Sequence, residues 1–255
     1  MDLDKSTPDW NLPNFHESLY WKQYLNGGRT FIDIGAHVGT WSINLAKYYD
    51  RVIAFEPDPR GYTALKRNLE INNIKNVEVI PKAVTNKAGK MEFNLYFNPC
   101  TNTLMDPKMM GRTDLPIDKV LVETISIDEF VQSRGINDID FIKIDAEGAE
   151  LLIAEGGLNM FKTQKPDFFI EMHGLFYDRL KKILSFAECD VLDGGRAGLS
   201  LLKHRNKWPA YETEDFKVYP HGSSPSSEDQ KQLRLKHGIA WEAPGGFLAA
   251  DYIDK

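Results

Sequence analysis

The sequence predicts an α/β protein whose core is a doubly wound, mostly parallel β-sheet. The first third of the chain alternates short apolar strands with amphipathic helices, which is the pattern of parallel strands joined by right-handed crossovers. The first of these strands leads into a glycine-rich turn at residues 33–39, and an acidic residue, Glu56, follows the second strand. Open parallel sheets bind ligands at these carboxyl ends of strands, so the same features locate a candidate site.

The individual elements are predicted from hydrophobic periodicity and from the glycine and proline residues at their ends. Apolar residues at helical spacing predict helices, whereas continuous apolar runs rich in β-branched residues predict buried strands. In the first third of the chain the predicted elements are a helix at residues 15–25, a strand at 30–35, a helix at 39–49, a strand at 51–57, a helix at 60–72 and a strand at 77–84.

Residues 85–125 interrupt the alternation and are predicted to form an insertion or an edge hairpin beside the site. Two segments within it, 90–97 and 119–125, have strand character. The alternation resumes at a capping box that runs from Ser126 to Glu129. The other predicted elements are strands at 139–145, 166–173 and 189–193, helices at 147–157 and 175–188, and an antiparallel edge strand at 245–253 that completes a seven-stranded sheet.

We expect one domain at residues 29–255, preceded by a helical extension at residues 1–28 and variable in sequence after residue 193. The net charge of −6 over 255 residues disfavours a nucleic-acid partner, because phosphate binding requires a basic surface. No apolar run has the length of a membrane-spanning helix. The isolated Cys100 and Cys189 fit reduced thiols, which predicts a cytoplasmic protein. Together, these observations predict a protein that acts on neither membranes nor nucleic acids.

The turn DIGAHVG at residues 33–39 has a mechanical interpretation at several positions. Gly35 permits a sharp change of chain direction, and Gly39 permits the close approach of a ligand. The helix that begins near Thr40 offers backbone N–H groups to a carboxylate, and Asp33 at the strand end suits a cationic amine. Taken alone, the segment is also compatible with a tight turn that binds no ligand, although a ligand-binding turn is favoured.

Glu56 favours an adenosine-like ligand. It follows the second strand about 20 residues after the turn, where a carboxylate can accept hydrogen bonds from both hydroxyls of a ribose. Pro57 then ends the strand. A dinucleotide site would require G-x-G-x-x-G, and His37 occupies the position of its second glycine. The ligand is therefore predicted to be an adenosine derivative with an amino-acid part.

Six segments resemble, in this order, the FkbM-type methyltransferases: FIDIGAHVGTWS, IAFEPDP, NVEVIPKAV, TISIDEF, FIKIDAEGAE and IEMH. The resemblance extends from about Thr30 to His173, and the KIDAEGAE element is its most distinctive part. It implies a class I methyltransferase fold, which is Rossmann-like, with S-adenosylmethionine as the methyl donor. Members of the family typically methylate hydroxyl groups, so the resemblance implies O-methylation of a sugar or a natural-product small molecule.

The resemblance also implies which residues contact the cofactor. The implied contacts are Asp33, Gly35, Ala36 and Gly39 for the methionine part, Glu56 with Asp58 nearby for the ribose, Ala83 and Val84 for the adenine, and Asp145 at the reacting end. From their places in the chain, His37 and Thr40 of the turn and Pro57 after Glu56 are further candidate cofactor contacts.

The candidate catalytic residues lie at the ends of the fourth and fifth core strands: Asp145, Glu147, Glu171 and His173. Adjacent parallel strands lie about 4.8 Å apart, so these residues can line one pocket. A sulfonium methyl group is already activated, so the protein must align an alcohol and accept its proton. His173 or a carboxylate with a raised pKa can do so. A divalent cation is an alternative that we do not assign, and Lys143 is interpreted as an ion-pair partner.

Two other functions remain open at the level of the sequence. The [DN]-P-P-[FYW] signature typical of N-methylation is absent, because Asp145-Ala146-Glu147 stands at its place. An N-methyltransferase or a nucleic-acid methyltransferase is therefore the less favoured enzymatic alternative. A non-catalytic module that binds the cofactor is the other, and the joint presence of Asp33, Glu56 and Asp145 argues against it.

Overall fold

A computed structural model of the chain describes residues 27–110, 112–171, 189–194, 199–204 and 218–219, the last three stretches by their backbone alone. The strands are β1 Gly28–Ile34, β2 Tyr49–Phe55, β3 Val77–Ile80, β4 Lys82–Thr85, β5 Gly89–Leu95, β6 Asp118–Ser126, β7 Ile139–Ile144, β8 Asp167–Glu171, β9 Cys189–Gly194, β10 Leu199–His204 and β11 Val218–Tyr219. The helices are α1 Thr40–Leu45, α2 Pro59–Ile71, α3 Ile127–Arg134, α4 Glu150–Gly156 and α5 Leu158–Gln164, with short 3-10 helices at Ala46–Tyr48 and Pro99–Thr101.

The main sheet contains eight strands within the described residues, in the order β3-β2-β1-β7-β8-β10-β9-β11. The strands from β3 to β8 in this order are parallel, and β10, β9 and β11 continue the sheet by antiparallel pairing. The doubly wound, mostly parallel α/β fold is confirmed. The sheet has eight described strands where seven were predicted, because β10, which lies next to β8, and β11 were not among the predicted elements. The strand expected at 245–253 lies outside the described residues, as does the helix expected at 15–25.

A second sheet of three strands, in the order β4-β6-β5, is built largely from residues 85–125. The segment predicted as one strand at 77–84 is divided at Pro81, since β3 pairs with β2 in the main sheet and β4 pairs with β6 in the second. Proline has no N–H group to donate, so it interrupts a strand ladder. The chain can therefore leave one sheet and enter the other within a single residue.

Strand alternation divides the main sheet into two buried faces. Isoleucines dominate the face that packs against α3, α4 and α5. The opposite face is aromatic, and there Phe31, Phe141 and Phe169 pack against Trp41 of α1. Residues that follow these at even spacing, such as Lys143 after Phe141, point to the same side. The α1 side of the sheet therefore leads directly into the candidate site.

The helix boundaries follow local capping chemistry. Ser126 Oγ accepts a hydrogen bond from Glu129 N at 3.2 Å at the start of α3, as the capping box predicts. The helix after β7 begins at Glu150 rather than Glu147, because Glu147 and Gly148 have φ of 50° and 100° and a right-handed helix cannot include such residues. Within the described residues no helix is both long and apolar enough to cross a bilayer. The cytoplasmic location stays a prediction.

Removal of a core aromatic ring should destabilise this packing. Phe161 is fully buried and meets Phe168 edge to face, with the ring centroids 4.9 Å apart. Phe161→Ala is expected to lower the free energy of unfolding by about 3–5 kcal/mol, measured by urea denaturation followed by circular dichroism. Leu121→Ala is the control, because Leu121 is 66% exposed and should change the value by less than about 0.5 kcal/mol. Equal losses in the two variants would contradict the packing described.

Candidate active site

The glycine-rich turn connects β1 to α1 and is fastened to the end of β2. The N–H groups of Gly35 and Ala36 both donate to the carbonyl of Phe55, at 3.0 Å each. Gly35, His37 and Gly39 have φ of 75°, 50° and 95°, so the turn passes repeatedly through the left-handed region. Glycine adopts this region without steric cost. The turn thus has a defined shape, supported by the last residue of β2.

Both glycines of the turn are required by packing within the protein. A Cβ atom at Gly35 would lie 1.8 Å from the carbonyl oxygen of Asp145. At Gly39 a Cβ atom would lie 2.2 Å from Cδ1 of Leu65 in α2. The neighbour that a Cβ atom at Gly39 would meet is a side chain of the protein, and the close approach of a ligand to Gly39 stays a prediction. The contact at Gly35 joins the turn to the segment after β7.

Asp33 is fully buried and anchors α1 to the end of β1. Its Oδ2 accepts hydrogen bonds from Ser42 N at 3.1 Å and from Ser42 Oγ at 2.6 Å. Ser42 N belongs to the first turn of α1, whose N–H groups have no partner within the helix. The other oxygen, Oδ1, lies 3.5 Å from Nζ of Lys143. The cation that faces Asp33 in the structure is thus a lysine, where the sequence suggested a ligand amine.

The ammonium group of Lys143 joins the turns that follow β1 and β7. It donates to the carbonyl of Gly35 at 2.6 Å and lies 3.5 Å from Asp33 Oδ1 and 3.4 Å from Asp145 Oδ2. Only 4% of the Lys143 side chain is exposed, and a buried charge needs such partners to offset its loss of hydration. The interpretation of Lys143 as an ion-pair partner is confirmed.

Glu56 lies directly after β2 and is 5% exposed. Its Oε2 accepts from His37 N at 2.6 Å, and its Oε1 accepts from Asp58 N at 2.8 Å. Burial raises the pKa of Glu56 to about 7, although these two hydrogen bonds oppose the shift. Each carboxylate oxygen has two lone pairs. One lone pair on each oxygen therefore orients the carboxylate, and the second can accept from a hydroxyl group.

Asp58 connects α2 to the insertion. It is the N-cap of α2, where its Oδ1 accepts from Arg60 N at 2.9 Å and its Oδ2 lies 2.9 Å from Arg60 Nη2. The same Oδ2 accepts from Asn102 Nδ2 at 2.7 Å. Pro57, between Glu56 and Asp58, is half-buried and ends the strand as expected. Both oxygens of Asp58 are thus engaged by protein groups, and only its backbone N–H contacts Glu56.

His37 is half-buried in the turn next to Thr40, the first residue of α1. Burial and, after it, the positive charge of Lys143 lower the pKa of His37 to about 4, so the imidazole is neutral near pH 7. The charges of Asp58 and Asp145 also act on it. His37 therefore lies within electrostatic range of both ends of the candidate site.

Ala83 and Val84 of β4 are 5% and 3% exposed and face opposite sides of the strand. Ala83 packs in the cluster of the second sheet, whereas Val84 packs in the core of the main sheet. Successive residues of a strand point to opposite faces. The expectation that both residues lie beside the adenine stays a prediction, in which at most one of the two side chains faces the ring.

Three of the four candidate catalytic residues come together at one end of the sheet. Asp145 follows β7 with 22% of its side chain exposed, and Glu147 is half-buried in the same turn. In the register of β7 on β8, Ile144 pairs with Ile170, and Asp145 and Glu171 are the next residues along the two segments. His173 lies outside the described residues. Among the residues that are described, no group of three or more His, Cys, Asp or Glu side chains is placed to hold a metal ion.

Two residues that the sequence did not single out hold the turn that carries Glu147. Glu150 Oε1 accepts from Ala146 N at 3.2 Å and from Gly148 N at 3.0 Å. Thr103 Oγ1 donates to the carbonyl of Glu147 at 2.6 Å. An acidic residue in the first turn of a helix is a signal that could have identified Glu150. Thr103 has no such signal, because it reaches the turn from the insertion.

Comparison with known proteins relates this chain to a family of methyltransferases. Residues 33–197 match the family model described as the methyltransferase FkbM domain. Methyltransferase sdnD of Sordaria araneosa is 24% identical over 152 residues, which cover 49% of this chain and 59% of the relative. Methyltransferase 1 of Beauveria bassiana (strain ARSEF 2860) is 23% identical over 141 residues, which cover 49% of this chain and 57% of the relative. The matches thus span less than two thirds of either relative.

Solved structures with a similar chain trace include two methyltransferases. Methyltransferase FkbM from Methylobacillus flagellatus KT superposes with a TM-score of 0.49 at 20% identity, covering 69% of this chain and 43% of that chain. SMU.1697c, a putative methyltransferase from Streptococcus mutans in complex with SAH, gives a TM-score of 0.42 at 14% identity, covering 75% of this chain and 96% of that chain.

The contact between Gly35 and Asp145 can be tested with alanine. Gly35→Ala should lower the free energy of unfolding by more than about 3 kcal/mol, since a positive φ costs about 1–3 kcal/mol and the overlap with a backbone carbonyl adds to it. The matched control is Gly135→Ala, because Gly135 also has a positive φ, 63°, but a Cβ atom there would meet nothing within 4 Å. Urea denaturation measures both. Losses of similar size would show that the backbone contact is unimportant.

Proposed function

This chain belongs to the FkbM family of S-adenosylmethionine-dependent methyltransferases, and we propose that it methylates a hydroxyl group of a small molecule such as a sugar or a natural product. The observation that carries the proposal is the pair of carboxylates at the carboxyl ends of β2 and β7. Glu56 is buried and held by two backbone N–H groups. Asp145 is partly exposed and held by Lys143. The first suits a ribose, and the second suits a reacting hydroxyl.

Glu56 is the residue that we assign to the ribose of S-adenosylmethionine. Its two oxygens are oriented before any ligand binds, and such preorganisation reduces the cost of binding. We assign the methionine part to the turn formed by Gly35, Ala36, His37, Gly39 and Thr40, and the adenine to the β4 region of Ala83 and Val84. Asp33 contributes through Ser42 by fixing the start of α1.

For the reaction we assign the acceptor hydroxyl to Asp145. When bound, S-adenosylmethionine would supply a methyl group on a positively charged sulfur, which would make the methyl carbon reactive toward the acceptor oxygen. The hydroxyl proton passes to the carboxylate of Asp145, and we assign Glu147 and Glu171, at the same end of the sheet, as alternative proton acceptors. Lys143 keeps Asp145 in position. Alignment and proton acceptance are the contributions that such a displacement needs from the protein.

Hydroxyl methylation is favoured over N-methylation by the residues after β7. Asp145-Ala146-Glu147 occupies the place of the N-methylation signature, and a carboxylate there can accept a proton from an alcohol. The net charge of −6 favours a small molecule over a nucleic acid. The non-catalytic alternative predicts cofactor binding without transfer, so isotope-labelled S-adenosylmethionine incubated with a panel of hydroxylated compounds separates the two functions.

Binding of S-adenosylmethionine is expected to weaken as the pH falls through about 7, the pKa of Glu56. Above this pH the carboxylate is ionised and accepts from both ribose hydroxyls, whereas the protonated group has lost acceptor positions. Only about a tenth of the groups are ionised one unit below the pKa, so the dissociation constant should rise about tenfold from about pH 8 to about pH 6. Isothermal titration calorimetry measures it.

Glu56→Gln is the control for this pH dependence. The variant should bind the cofactor weakly at both pH values, because its amide group faces two N–H donors, and the change with pH should disappear. An affinity of the unchanged protein that stays constant between about pH 6 and about pH 8 would argue against the role of Glu56. An absence of binding at about millimolar cofactor would contradict the proposed function as a whole.

Replacement of Asp145 should separate binding from turnover. Asp145→Asn is expected to leave the dissociation constant of S-adenosylmethionine within several-fold and to reduce methyl transfer by about a hundredfold or more, since it removes a proton acceptor. Transfer of an isotope-labelled methyl group to an acceptor found in the panel measures turnover. The exposed Asp118→Asn is the control and should retain full activity. If Asp145→Asn turned over at the normal rate, Asp145 would lose its assigned role.

A further inference from the structure

The insertion reaches across the candidate site through two consecutive buried residues, Asn102 and Thr103. They are 6% and 1% exposed. Asn102 Nδ2 donates to Asp58 Oδ2 at 2.7 Å, and Thr103 Oγ1 donates to the carbonyl of Glu147 at 2.6 Å. Asp58 lies just after β2, and Glu147 lies just after β7. One dipeptide of the insertion thus touches both ends of the site.

The dipeptide is itself firmly held. Thr103 exchanges two backbone hydrogen bonds with Asn94 of β5, at 2.8 and 3.1 Å. Asn102 Oδ1 accepts from Tyr96 N at 2.7 Å, and Thr103 Oγ1 accepts from Met105 N at 3.0 Å. These bonds orient both side chains before they meet their partners across the site. The separation of the two ends is therefore set by the second sheet.

The turn at Glu147 depends on outside support. Its φ of 50° lies in the left-handed region, which is unfavourable for any residue except glycine. The peptide group between Glu147 and Gly148 is held on both sides, since its carbonyl accepts from Thr103 and its N–H donates to Glu150 at 3.0 Å. Backbone strain persists where the surrounding structure over-determines it, and functional sites are where it collects.

We propose that Asn102 and Thr103 are positioning residues, which keep the ribose side of the site and the turn of Glu147 at a fixed separation. A continuous path of hydrogen bonds runs from Glu56 through Asp58 to the dipeptide and on to Glu147. The identity of the ligand in this inference, S-adenosylmethionine, rests on the proposed function. The role of the insertion goes beyond that function and can be tested with and without the cofactor.

Amide hydrogen exchange tests the Thr103 contact in the protein without ligand. Thr103→Val keeps the shape of the side chain but removes the hydroxyl, so exchange at residues 146–149 should become at least about tenfold faster. Thr103→Ser retains the hydroxyl and should exchange as the unchanged protein does. Exchange in β1 and β7 should not change in either variant. Normal protection at 146–149 in Thr103→Val, or equal loss in both variants, would overturn the proposal.

The Asn102 contact can be tested through cofactor affinity, in a pair of variants that exchanges the amide and the carboxylate of this contact. This test does not depend on whether Thr103→Val folds. Asn102→Asp places two carboxylates at hydrogen-bond distance and should raise the dissociation constant of S-adenosylmethionine at least about tenfold. Adding Asp58→Asn restores an amide opposite a carboxylate and should return the value to within about threefold of the original. Normal affinity in Asn102→Asp, or no recovery in the double variant, would overturn the proposal.

The two measurements also distinguish this proposal from the function on which it rests. If the unchanged protein bound no S-adenosylmethionine at about millimolar concentration, the proposed function would fail. The exchange rates at residues 146–149 would still decide whether Thr103 holds the turn, because that measurement uses no cofactor.

Discussion

The geometry of the site depends on the contacts that the ammonium group of Lys143 makes. It lies between the carboxylates of Asp33 and Asp145 and donates to the carbonyl of Gly35. A buried charge is tolerated only when its partners are in place, and loss of one partner leaves an uncompensated charge. The turn after β1 and the turn after β7 are therefore constrained to one relative position, which the close packing of Gly35 on the Asp145 carbonyl reinforces.

Most of the acidic residues at this end of the sheet accept hydrogen bonds from backbone N–H groups. Asp33 caps α1 through Ser42, Asp58 caps α2, and Glu150 holds the turn after β7. Each accepts N–H groups that would otherwise lack partners at the start of a helix or within a turn. In the proposed function, Glu56, whose pKa is raised, and the partly exposed Asp145 are the carboxylates assigned to the cofactor and the acceptor. They would supply the alignment and the proton acceptance that methyl transfer needs from the protein.

The second sheet holds the residues that contact the site from the side of the insertion. The parallel sheet supplies the turns after β1, β2 and β7, as open sheets do at their carboxyl ends. The insertion then ties two of these turns together through Asn102 and Thr103. The FkbM match at residues 33–197 spans this insertion together with strands β2 to β9, so the second sheet lies within the part of the chain that matches the family.

The sequence by itself determined the alternation of strands and helices, the glycine-rich turn, the position of Glu56 and the capping box at Ser126, because each depends on residues close together in the chain. Only the tertiary structure decided that Asp33 faces Ser42 and Lys143, that Ala83 and Val84 point apart, and that Thr103 reaches Glu147. These outcomes depend on strand register and on contacts between segments far apart in the chain. Local propensity and periodicity carry no information about which distant group will meet a given side chain.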